Sequence, residues 1–106
     1  MFTNKEKRLL GDGYFTIIRE EENFIEVRSN STKHQWIIFK KSFDSKKPIT
    51  LYHKHTADTK YYHKHWETWT VALAVESIRN HDSYVIENGE TIRWMRRKGK
   101  VSYGNI

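Results

Sequence analysis

Apolar periodicity changes once along this chain, and that change limits what the chain can fold into. Up to Trp66 the aromatic and β-branched residues come in short runs with a period near two; from Val71 they recur with a period near 3.6. The first pattern builds strands with one face inward, and the second builds an amphipathic helix. The expected class is therefore α+β: an antiparallel meander of about five strands with one amphipathic helix packed on a face.

The strand segments are separated by turn chemistry. Residues 14–19 and 24–28 are rich in aromatic and β-branched side chains and flank the charged break Glu20-Glu21-Glu22-Asn23, which reads as a hairpin. Asn30-Ser31-Thr32-Lys33 is the next turn. In residues 34–40 the run Trp36-Ile37-Ile38-Phe39 is apolar on both sides, the pattern of a central strand covered on both faces. A polar loop to Pro48 leads into a strand over residues 49–55, and a turn at 56–60 returns the chain through residues 61–66.

The helix carries Val71, Ala74, Val75 and Ile78 on one stripe, with Thr70 or Thr68 as its N-cap, and is expected to run out at Asn80-His81-Asp82. Beyond it, residues 84–87 and 90–95 flank Asn88-Gly89, a pair suited to a type I′ turn, so a C-terminal hairpin is expected. Residues 96–106 lack apolar periodicity. The chain thus reads as one α+β domain over residues 1–95 followed by a flexible basic tail over 96–106.

The absence of cysteine removes disulfides, thiolate nucleophiles and cysteine-based zinc sites together. Residues 1–10 carry Lys5, Glu6, Lys7 and Arg8 and no apolar run that could act as a signal sequence, which favours a cytoplasmic location without a membrane. The net charge of +6 is unevenly spread. Fourteen basic side chains nearly balance thirteen acidic ones through residue 92, and the excess lies in Arg93, Arg96, Arg97, Lys98 and Lys100.

One segment is doubled: Tyr52-His53-Lys54-His55 recurs as Tyr62-His63-Lys64-His65 on what should be the two arms of a hairpin. Side chains alternate between faces along a strand, so the meaning depends on register. In an even register His53, His55, His63 and His65 share one face and could converge on a divalent transition metal, since cross-strand Cβ atoms stand about 5 Å apart. In an odd register each face receives two histidines and no four-ligand site forms. His34 and His81 stand apart in sequence and read as ordinary surface or capping residues.

The same even register groups Tyr52, Lys54, Tyr62, Lys64 and Trp66. Flat rings alternating with ammonium groups on a sheet surface suit unpaired bases and phosphates, while Trp66, close to the helix start, better suits the core beneath the helix. Arg93-Trp94-Met95-Arg96-Arg97-Lys98-Gly99-Lys100 interleaves cations with one indole, which fits phosphate neutralisation or a solvated terminus. Trp36 and Trp69 are the core candidates among the four tryptophans, and Trp94 is expected to be partly exposed.

These features give three readings. The first is a small non-enzymatic nucleic-acid-binding protein, with a single-stranded partner held by Tyr52, Lys54, Tyr62, Lys64, Arg93, Trp94, Arg96, Arg97, Lys98 and Lys100, no catalytic residue and no cofactor. The second is a small inhibitor or adaptor that docks on a protein target through the same aromatic and arginine side chains. The third is a metal-binding protein or nuclease built on His53, His55, His63 and His65.

Overall fold

A computed structural model of the protein describes residues 2–41 and 46–97, with side chains described as far as residue 88. Five strands, β1 (Phe15–Glu20), β2 (Phe24–Ser29), β3 (Gln35–Lys40), β4 (Ile49–Lys54) and β5 (His63–Thr68), form one antiparallel sheet in the order β1-β2-β3-β4-β5. Helix α1 (Asn4–Leu10) precedes the sheet and α2 (Val71–Arg97) follows it. The α+β class and the five-strand meander are those the periodicity calls for. No helix among the described residues is long and apolar enough to cross a membrane.

Strand alternation separates two faces. The inner face presents Ile25, Val27, Trp36, Ile38, Ile49 and Leu51, all buried; Phe2 just before α1 joins that cluster, and the two helices add Leu10, Val71, Ala74, Val75 and Ile78. Burying side chains of this size contributes about 1.5–3 kcal/mol each, so this one layer supplies most of the driving force for folding. On the other face Ile37, Phe39, Tyr52 and Tyr62 are only half-buried, and none of the described helices or strands covers it. β3 is central, as its composition implies, but it is covered on one face and not on two.

Three further expectations are corrected. Residues 1–10 contain a helix, closed by a capping box in which the Thr3 hydroxyl accepts from the Glu6 amide and the Glu6 carboxylate accepts from the Thr3 amide. Lys40 Nζ lies 2.8 Å from Glu6 and Lys7 Nζ 3.0 Å from Glu20, pinning α1 over the sheet. Trp69 is 55% exposed, because it stands in the short link before the N-cap Thr70 and so misses the helical stripe.

The third correction concerns the C-terminal half. α2 does not stop at Asn80-His81-Asp82, and the hairpin around Asn88-Gly89 does not form; the helix runs to Arg97. Asp82 explains the continuation, since it is fully buried and accepts hydrogen bonds from Tyr14 Oη at 2.6 Å and Thr32 Oγ1 at 2.9 Å. A residue that looked like a helix stop is the latch holding α2 to the β1 and β2–β3 ends of the sheet. Asn88 turns its side-chain amide back to the Tyr84 carbonyl at 2.8 Å, an i to i−4 bond of the kind helical geometry brings within reach. The expected tail therefore starts on α2 at Arg96 and Arg97, and its remainder lies outside the described residues.

Two expected outcomes follow from this geometry. Asp82→Ala strands two half-buried hydroxyl donors and lowers stability by about 1–3 kcal/mol in urea unfolding. Gly89→Ala raises helicity and stability by up to about 1 kcal/mol, because alanine is the better helix former. A loss of stability from Gly89→Ala, as an Asn-Gly turn would give, would contradict the continuous helix.

Candidate metal centre

The register on which the histidine argument depends is settled by a β-bulge. At the base of the β4–β5 hairpin Ile49 faces Thr68, Thr50 faces Glu67 and Leu51 faces Trp66; after a shift, Tyr52 faces Lys64 and His53 faces His63. The base is odd in register and the top is even, and His65 is the extra residue between them. A bulge re-aims the side chain it contains. Without it His63 and His65 would fall on the outer face; with it His53, His63 and His65 come together on the inner face.

Two more histidines join from elsewhere. His34 precedes β3 at the same parity as Trp36, and since Trp36 pairs with His53, His34 arrives beside the β4 end. His81 is three residues beyond Ile78 on the buried stripe of α2, placed there by the continuation of the helix. The chain has six histidines, and all six meet in one cluster. His34 and His81 are therefore not ordinary surface residues. Sequence signals for both existed: the parity of Trp36 for one and the extension of the Val71/Ala74/Val75/Ile78 stripe for the other.

His53 is the centre of the cluster. It is 1% exposed and its ring stacks on Trp36 at 4.0 Å with an interplanar angle of 23°. Its Nε2 lies 2.9 Å from His34 Nδ1, so one of the two nitrogens carries the proton that they share. The rings of His81 and His63 meet it edge-on at 4.6 and 5.4 Å. Ligand nitrogens of His34, His53 and His81 lie within 4.8 Å of one another, and so do those of His53, His63 and His65. Two imidazole nitrogens bound to one tetrahedral ion stand about 3.4 Å apart, given metal–nitrogen bonds of about 2.0–2.1 Å. Small side-chain rotations close that gap.

His55 belongs to neither triad. Its ring lies flat against His34 at 4.8 Å and 10°, a stacked arrangement that presents faces and not nitrogens. The four-ligand set His53, His55, His63 and His65 is thus replaced by two triads that exchange His55 for His34 and His81. Glu67 does not contribute either, since it points to the outer face and pairs with Lys41 at 3.2 Å and Lys64 at 3.3 Å.

The electrostatics at His34, His53, His65 and His81 favour neutral imidazoles. Burial pushes His53 down to about 2, with His81, His34, His55 and His65 adding repulsion. Burial also pushes His34 down to about 4, reinforced by His55 and His81 and opposed by Asp82. His65 is lowered by burial, His81 and His63, and His81 by burial, with Asp82 opposing and His55 assisting. A neutral imidazole is the form that binds a metal. His81 Nδ1 is buried without a hydrogen-bond partner, a cost of about 1–3 kcal/mol for a polar atom in that state.

The residues assigned to nucleic acid fall elsewhere. Tyr52, Lys54, Tyr62 and Lys64 share the uncovered face, as the even register requires, with Lys54 Nζ 4.7 Å from the Tyr62 ring centroid. Tyr62 Oη donates to Glu26 at 2.6 Å, and Lys64 is paired with Glu67. Trp66 leaves this group, because it lies before the bulge and faces α2, where it borders a groove with Leu73, Glu76, Ser77 and Asn80 at 44% exposure. Arg93, Trp94, Arg96 and Arg97 are carried on the last turns of α2, whereas Lys98 and Lys100 lie outside the described residues. No family model, curated protein or solved structure matches this chain.

Depressed folded-state values give a defined acid response. His34 and His53 bind protons in the unfolded chain near 6.5 but resist them when folded, so their contribution to stability is complete above about pH 6.5 and is lost as the pH falls toward about 4 and below. The urea midpoint of the metal-free protein should fall progressively from pH 7.5 to pH 4.5. A midpoint unchanged over that range would contradict the buried neutral cluster.

Proposed function

We propose that this protein binds a divalent transition metal through its histidine cluster. The observation that carries the reading is the convergence of imidazoles from the start of β3, from β4, from β5 and from α2 into two triads of nitrogen ligands, one of which contains a buried nitrogen with no partner. Neutral nitrogen donors without thiolates or carboxylates suit zinc, nickel or copper and do not suit magnesium or calcium. The geometry supports binding before it supports catalysis: no carboxylate stands among the ligands to act as a general base, and Asp82 is held by Tyr14 and Thr32.

Zinc added to tagless protein should bind in isothermal titration calorimetry and raise the thermal midpoint. At a free zinc concentration of a thousand times Kd the gain is about 4 kcal/mol. His53→Ala should abolish both effects, since His53 belongs to both triads. His55→Ala should leave both nearly intact. Equal losses from these two variants would sink the assignment of ligands.

A second reading concerns the other side of the sheet. The grouping of Tyr52, Tyr62, Lys54 and Lys64 on one face supports a single-stranded nucleic acid laid across the uncovered face, with the cations of Arg93 to Lys100 adding phosphate contacts. Glu26 and Glu67 oppose it by neutralising part of that charge. Fluorescence anisotropy with labelled single-stranded oligonucleotides should then show binding that weakens about tenfold or more between 50 and 200 mM salt. Salt-insensitive or absent binding would leave the face to a protein partner, on which its aromatic side chains would serve as anchors.

A further inference from the structure

Resting on the metal-binding reading, we infer that the two triads are successive stations for one ion: His53, His63 and His65 form a loading site open to solvent, and His34, His53 and His81 form a holding site within the fold. The two triads differ in burial. His63 and His65 are exposed on the edge strand β5, whereas His34 is 9% exposed, His53 is 1% exposed and His81 Nδ1 is out of contact with water. The ligand nitrogens fall into two groups of three and not one group of five. An ion with metal–nitrogen bonds of about 2 Å therefore reaches one triad at a time.

His53 is the residue common to both, and it is fixed in place by its stack on Trp36. Simultaneous occupancy is disfavoured because two dications would sit within one ring of each other, with no carboxylate bridging them to offset their repulsion. The ion instead passes from the outer pair to the inner pair while His53 stays bound. The hydrogen bond between His53 and His34 breaks on transfer, and the donor of the pair shifts its N–H proton to its other ring nitrogen, so that both rings meet the metal as neutral imidazoles. The flat stack of His55 covers one face of the His34 ring, which leaves the solvent-facing outer triad as the more open route in.

The test uses nickel(II) alone and the tagless full chain, with calorimetry for stoichiometry and affinity and stopped-flow quenching of tryptophan fluorescence for rate. Trp36 lies against His53 and within 5.4 Å of the His65 and His81 rings, so its emission reports the arrival of the ion. Wild type should bind one nickel. Replacing both outer ligands, His63→Ala with His65→Ala, should slow association about tenfold or more while changing the equilibrium affinity much less. Replacing an inner ligand, His81→Ala or His34→Ala, should cut affinity by about a hundredfold or more while leaving the fast association step. The outer variants lie at an exposed edge and keep the fold; circular dichroism of the inner pair identifies whichever of the two stays folded. Two nickel ions per chain, or equal affinity losses from the outer and inner variants with unchanged association, would overturn the two-station scheme while leaving metal binding intact. No nickel bound by wild type would overturn the metal reading itself.

Discussion

An imidazole stacked on an indole beneath a helix has to stay neutral, and the other features of the inner face accommodate that constraint. His53 sits where a leucine would be expected in the Ile49, Leu51, His53 series of β4, next to the largest buried side chain, Trp36. Its Nε2 is hydrogen-bonded to another imidazole, that of His34. Leucine there would gain about 1.5–3 kcal/mol of burial and remove two polar nitrogens from the interior. A cluster that lowers stability in this way breaks the local rules of folding that the rest of the inner face obeys, which is why the proposed metal site is placed there.

The placement of that cluster depends on two devices outside it. One is the bulge at His65, which converts an odd register to an even one in the middle of the β4–β5 hairpin. The other is Asp82, whose bonds from Tyr14 and Thr32 fix the rotation and height of α2 and so aim His81 at His53. Each acts over a long stretch of sequence: Tyr14 and Asp82 are 68 residues apart. The cluster therefore forms only when the sheet is complete and α2 has docked, and its imidazoles are positioned by elements that would be in place without any ion.

Much of this was legible in the sequence, and the parts that were not share a cause. All five strands and the start of α2 follow from periodicity and turn chemistry, because each is fixed by residues within six or seven positions. The Thr3-x-x-Glu6 pair announces α1 as well, but a seven-residue helix is too short to show periodicity. The doubled segment identified three of the five triad ligands, His53, His63 and His65. His34 and His81 were hidden because their roles depend on the β3–β4 register and on the length of α2, both set by long-range contacts. Asn88-Gly89 misled for a related reason: its turn preference is a local bias of about 1 kcal/mol, outweighed by a helix already anchored upstream at Asp82.

The doubled segment also explains why the two faces of the hairpin differ so sharply in chemistry. A Tyr-His-Lys-His unit in strand conformation sends its histidines one way and its tyrosine and lysine the other. Once the bulge brings the two units into even register, four histidines gather on the helix side and two tyrosines and two lysines gather on the open side. The segregation makes the faces separable in function, since a substitution at Lys54 or Lys64 touches no imidazole and one at His63 or His65 touches no outer ring. It also couples them mechanically. A partner that straightened β5 on the outer face would remove the bulge, turn His65 outward and dismantle the exposed triad from behind, without touching a ligand.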